Sequence, residues 1–204
     1  MAALSRDAAT AFTLIELLVV IAIIALLSGL IANLLPKAAD AKVRSRARAE
    51  LSQLELTIDY YKDKRGYYPP DNPANPGSNS LYYELSGTRF ENGGYTTLLG
   101  DGPLAQASVP QAFGAASFIN CNSPTGADDA ANYFRGMKVS QQVKAIDVNG
   151  VTVKLLGVSA KGPSGDFCPW FYNVSSPIHN PNSYDLWVEV TLGGQTRQLG
   201  NWKD

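Results

Sequence analysis

Histidine is almost absent from this sequence, with His179 alone, and cysteine is scarce, with only Cys121 and Cys168. A hydrolytic triad or a thiolate metal centre needs several such groups brought together, and no Cys-x-x-Cys, nucleophile elbow or paired-histidine pattern occurs. His179 stands among Pro177, Asn180 and Pro181 and reads as a loop residue without catalytic collaborators. The sequence therefore predicts no enzyme. An excess of positive charge is missing as well. The formal net charge is −1 and charged residues make up 17% of the chain, which argues against a nucleic-acid partner. The one basic stretch, Lys42 to Arg48, lacks interleaved aromatics and reads as a solvated or subunit-facing helix surface. Asp128 and Asp129 are adjacent, so on a helix they face different ways; they read as first-turn charges, not as an acid–base pair.

Two cysteines leave two readings open. Oxidised, Cys121 and Cys168 would close a loop that the chain-entropy model values at roughly 4 kcal/mol. Reduced, they behave as small buried hydrophobes.

What the chain has in quantity is one long apolar run. Leu17 to Leu35 is interrupted only by Ser28, Gly29 and Asn33, and Phe12 to Ile15 extend it forward. Read as a helix, about 24 residues span about 36 Å, enough to cross a hydrocarbon layer of about 30 Å with some tilt. A secretory signal peptide has a shorter apolar core of about 7–15 residues. Inside the run sits Glu16, an acid that costs about 2.5–3.5 kcal/mol at the centre of a membrane helix and less near its end. Such a group calls for a cationic partner, and a newly exposed α-amino group would supply one.

Beyond Pro36 the pattern becomes amphipathic, with Ala47, Leu51, Leu54, Ile58 and Tyr61 spaced by three or four residues on one face. The helix is expected to continue through Pro36 with a kink and to stop at Gly66, ahead of Pro69-Pro70. Most of the 18 glycines and 12 prolines lie beyond Tyr68, which predicts turns and short elements there. Short helices are expected at Ser80 to Leu85, capped by Ser80, at Asp128 to Phe134 and at Ser140 to Ile146. Strands are expected at Val151 to Leu156, Tyr184 to Leu192 and Thr196 to Trp202, the last two joined by a Gly193-Gly194 hairpin. This order predicts an α+β domain in which a small antiparallel sheet covers the helix's apolar stripe, beside a loop-rich variable region.

The residues Ala11-Phe12-Thr13-Leu14-Ile15-Glu16-Leu17-Leu18-Val19-Val20-Ile21-Ala22-Ile23-Ile24 resemble the prepilin processing and methylation segment of type IV pilins and pseudopilins. The resemblance implies cleavage by a prepilin peptidase between Ala11 and Phe12 and methylation of the Phe12 amine. It implies that Glu16 meets the N-terminal amine of a neighbouring subunit during assembly. Ala11 stands where the family usually has Gly. By charge tendency alone, Lys37, Lys42, Arg44, Arg46 and Arg48 would place the C-terminal side in the cytoplasm; the resemblance implies the opposite orientation.

Tyr67-Tyr68-Pro69-Pro70, Ser183-Tyr184-Asp185-Leu186-Trp187 and Gly200-Asn201-Trp202 further resemble the major pseudopilin of type II secretion, and Pro169-Trp170-Phe171-Tyr172 does so more faintly. That family often holds calcium in the loop between its last strands. This chain keeps Asp185 but has Gly193, Gly194, Gln195 and Thr196 where further acids would follow, so calcium is not expected; packing of Trp170, Trp187 and Trp202 is expected to steady the hairpin instead.

The organisation implied is a leader at 1–11, a membrane helix at 12–35, an amphipathic stem at 36–66 and an extracytoplasmic pilin-like domain at 67–204. The implied function is that of a structural subunit of a secretion pseudopilus, held in the inner membrane by a single pass. Its implied partners are copies of itself, other pseudopilins, the prepilin peptidase, the assembly platform and the lipid bilayer. A type IV pilus subunit, or a binding module anchored by a pilin stem, stands as the alternative.

Overall fold

The computed structural model describes residues 13–122 and 129–202, and of 30–36 the backbone alone. The chain divides into two compact units, residues 1–41 and 42–204. Helix α1, Leu14–Arg65, begins in the first and ends in the second. Pro36 does not end it, as the pattern predicts. Gly66 does, in the left-handed region at φ 83°, where its N–H reaches back to the carbonyl of Lys62 at 2.7 Å. That bond satisfies one of the carbonyls a helix leaves without an internal partner.

In the first unit the side chains of residues 13–29 and 37–39 are exposed, Leu14 at 82% and Ile15 at 68% among them. Among the described residues no helix is long and apolar enough to cross a membrane. The expected span Phe12 to Leu35 extends beyond the described side chains at both ends.

The second unit is built on the amphipathic stripe. Ala47, Leu51, Leu54, Ile58 and Tyr61 are all buried, none above 5% exposure. They share one core with the inward residues of a five-stranded sheet. Its strands are β5 (Val143–Val148), β6 (Val151–Val158), β7 (Cys168–Asn173), β8 (Asp185–Leu192) and β9 (Gln195–Gly200), antiparallel throughout and adjacent in chain order. The period of two in β8 puts Leu186, Val188, Val190 and Leu192 in the core and turns Trp187 and Glu189 outward. The architecture is α+β, a long N-terminal helix on a small antiparallel sheet.

A second sheet fills the variable region. It holds β1 (Thr88–Glu91), β2 (Gly94–Thr97), β3 (Leu104–Ala105) and β4 (Cys121–Asn122) in the order β3-β2-β1-β4, with β4 parallel to β1. Of two short helices, α2 (Leu81–Ser86) precedes it in the chain and α3 (Ser108–Phe113) lies between β3 and β4.

Several expectations are corrected. No helix forms at 129–134, and Asp128 lies outside the described residues. There the backbone is claimed from a distance: Asn120 bonds both the N–H and the carbonyl of Ala131, Arg65 donates to the carbonyl of Asp129, and the Tyr133 N–H donates to Leu85. The helix expected at 140–146 is a single 3₁₀ turn, Val139–Gln141, followed by β5. Asn149 and Gly150 both take positive φ and close the tight turn to β6. Ser80 does not cap α2 through its side chain. Its hydroxyl instead donates to the carbonyl of Pro70 at 3.4 Å. Gly193 and Gly194 make the expected hairpin at φ 58° and 78°.

Candidate functional site

The start of α1 concentrates the chemistry that the sequence singles out. Thr13 precedes the helix and Glu16 lies three residues on, and the two side chains cap each other's backbone. The Glu16 N–H donates to the Thr13 hydroxyl at 3.3 Å. In return Glu16 Oε2 accepts the Thr13 N–H at 2.9 Å and the Thr13 hydroxyl at 2.8 Å. This is a capping box, and a negative side chain in the first turn also suits the positive end of the helix dipole. Only one carboxylate oxygen is used in these bonds. Among the described residues Glu16 makes no ion pair. A single acid with accepting capacity to spare therefore stands on an exposed apolar helix, flanked by Leu14, Ile15, Leu17 and Leu18.

A model of the prokaryotic N-terminal methylation motif matches residues 6–32. The chain has the N-terminus of a type IV pilin-like protein. Proteins with this motif are structural subunits cut by a prepilin peptidase, held at the membrane and assembled into filaments with other pilin-like subunits. The match ends before the second unit, residues 42–204. No curated protein and no solved structure matches the chain. Ala11 and Phe12, between which cleavage is expected, lie outside the described residues.

Of the basic residues after the apolar run, Arg46 pairs with Glu50 at 2.6 Å across one helical turn. Lys37, Lys42, Arg44 and Arg48 stay exposed. Burial pushes the Glu50 carboxyl up, against the pull of Arg46. Burial also raises Glu55, helped by Asp59, and raises Asp59 in turn.

Asp185 is 2% exposed and organises the loop before β8. Its oxygens accept the successive N–H groups of Ile178, His179 and Asn180 at 2.6, 2.9 and 2.9 Å, and the Asn180 amide at 3.2 Å. Those four donors fill the lone pairs of a carboxylate. His179 is an exposed loop residue whose ring stacks on Trp202 at 3.9 Å. Trp187 packs on Trp202 at 6.0 Å. Trp170, by contrast, alternates to the core face and leaves that aromatic group. The two thiols are unpaired. Cys121 sits in β4 and Cys168 in β7, in separate sheets, and the Cys168 thiol donates to the carbonyl of Ala160 at 3.2 Å.

Sequence reading missed a second polar centre. Glu84, on α2, is fully buried and accepts the N–H groups of Ile119 and Asn120 at 2.8 and 2.9 Å and the Tyr61 hydroxyl at 3.2 Å. Burial raises its carboxyl above the ordinary value, and the two backbone donors, Tyr61 and the nearby Arg65 offset part of that rise. Arg65 links onward to Tyr133 and Asn120. The centre fastens the end of α1 to α2 and to the loops around 120 and 131. Its signal in the sequence is an acid inside the apolar run Leu81-Tyr82-Tyr83-Glu84-Leu85.

Proposed function

We propose that the chain is a structural subunit of a type II secretion pseudopilus, assembled through Glu16. The leader 1–11 is removed on the cytoplasmic side, the Phe12 amine is methylated, and 12–35 anchors the subunit by a single pass in the inner membrane with residues 67–204 outside. In the bilayer an unpaired carboxylate is costly. The methylated amine of a neighbouring subunit offsets that cost through a charge-assisted hydrogen bond in a low-dielectric setting. Contacts of this head-to-tail kind do not close on themselves, so they build a fibre. The observation that carries the reading is the position of Glu16, capped by Thr13 yet with an oxygen to spare, among exposed apolar side chains.

The secretion assignment is supported by residues far apart in sequence that meet in the globular unit. Tyr68 packs on Tyr184 at 5.0 Å and its hydroxyl meets that of Ser183. Asn201 ties the last strand back to Tyr184 and Leu186, donating to the former's carbonyl and accepting the latter's N–H, each at 3.0 Å. These are the positions that resemble the major pseudopilin, and they form one structural knot. Glu16→Leu is expected to insert normally and to give no fibres, and wild-type fibre yield from that variant would refute the role of Glu16. Copurification with the secretion platform and its ATPase supports the secretion assignment. Long surface fibres made without secretion would make the chain a type IV pilus subunit instead.

A further inference from the structure

A cavity of about 420 Å³ opens where the hairpin of β5 and β6 separates from β7. The two strands β6 and β7 pair only at Gly157 with Pro169 and at Val158 with Cys168, so the sheet splits beyond that point. The volume falls in the range of small-ligand sites.

Two aromatic rings form apolar walls, and each is seated by a glycine. A Cβ on Gly77 would lie 2.8 Å from Cε1 of Phe171, and one on Gly157 would lie 2.5 Å from Cζ of Phe167. Neither glycine has a positive φ, so what matters at both is space, at Gly157 for the Cys168 carbonyl of the paired strand as well as for the ring. Phe171 also stacks on Trp187, with ring centroids 5.1 Å apart.

Polar groups of both signs converge on the same space: Asn75, Lys144, Asp147 and Asp166. None of the three charged groups forms an ion pair, with one another or with any other described residue. Lys144 lies 5.8 Å from the Phe167 ring. Asp147 spends one oxygen on the Gly150 N–H at 3.1 Å. The side chains of Asn75 and Asp166 make no hydrogen bond within the described chain. Donors and acceptors thus share one space with apolar walls, with one cation set against two carboxylates.

A ligand complementary to this lining carries no negative charge, presents C–H surface to the rings, and bears groups that both donate and accept, to meet Lys144 and Asn75 as well as the two carboxylates. Hydroxyls do both, and a polyol ring sets them side by side on a carbon frame. From this lining we infer that the cavity is a binding site for a short neutral oligosaccharide. The site belongs wholly to the globular unit and does not depend on assembly through Glu16.

The test uses the full chain in a detergent without a sugar headgroup, applied to an array of neutral linear oligosaccharides of glucose, galactose, mannose and N-acetylglucosamine. At least one is expected to be retained, and the retained sugar then serves as the titration probe. Asp166→Ala and Asn75→Ala, whose side chains brace nothing in the fold, are each expected to weaken its binding about tenfold while leaving thermal unfolding unchanged, the loss of one hydrogen bond to a charged or amide partner. A Glu16→Leu chain that fails to assemble is expected to bind as the wild type does. Retention of none of the sugars overturns the inference. So does retention that survives both substitutions, or a preference for a panel of unstructured peptides over every sugar.

Discussion

Replacing Glu84 by Gln puts the buried centre to a quantitative test. The carboxylate accepts three donors, with Ile119 on Oε1 and both Asn120 and Tyr61 on Oε2. An amide offers one oxygen. Placed at Oε2 it keeps two of the donors and turns its NH₂ toward the Ile119 N–H, and a donor left unsatisfied in this way costs about 1–3 kcal/mol. The pH dependence separates this loss from simple misfit. Burial holds the folded-state pKa above the ordinary 4.5, so the folded state binds the proton more tightly than the unfolded chain does. Wild-type stability from this group is therefore fully present below about pH 4.5 and falls as pH rises through the folded pKa, by up to about 1.4 kcal/mol per pH unit of that window. Glu84→Gln has no proton to lose. The wild type is expected to exceed the variant most at low pH, with the gap narrowing or reversing as pH rises. Urea unfolding of the full chain, followed by tryptophan fluorescence at a series of pH values, reads this directly, because Trp170, Trp187 and Trp202 all lie in the globular unit. A gap that stays constant, or widens as pH rises, refutes the reasoning.

Other perturbations have equally definite outcomes. Leu54→Ala empties a fully buried position on the α1 stripe, and a loss of about 2–5 kcal/mol in the same unfolding assay is expected. Asp185→Ala strips three backbone N–H groups of their acceptor; fast hydrogen exchange at Ile178, His179 and Asn180 is the expected signature, and unchanged protection there contradicts it. Thr13→Ala removes the hydroxyl of the capping box, and fraying of the first turn worth about 1 kcal/mol is expected from helix-end amide exchange in micelles. Intact-mass analysis of membrane-extracted protein is expected to show the loss of Met1 to Ala11 and the gain of one methyl group.

The parts of the fold legible in the sequence are those set by local periodicity. The stripe from Ala47 to Tyr61 needs only its spacing to be read, and the Gly193-Gly194 turn needs only its two glycines. Asn92-Gly93 and Asn149-Gly150 carried the same kind of signal, both pairs with positive φ, and joined β1 to β2 and β5 to β6; reading those turns would have replaced a helix with a strand. The irregular stretch at 129–134 was not legible, because what overrides its helical propensity is Asn120 and Arg65, one from the loop before β4 and one from the end of α1. Glu84 was hidden for the same reason: its donors lie 23 to 36 residues away. At the N-terminus both halves of the capping box stand in plain view as Thr-x-x-Glu.

Fibre structure at side-chain resolution tests the central claim most directly, through the distance between the Glu16 carboxylate of one subunit and the Phe12 nitrogen of its neighbour. A separation within ion-pair reach, about 4 Å or less, repeated along the fibre, is the predicted result. A fibre in which every Glu16 faces lipid or water, with the Phe12 amines elsewhere, would contradict it.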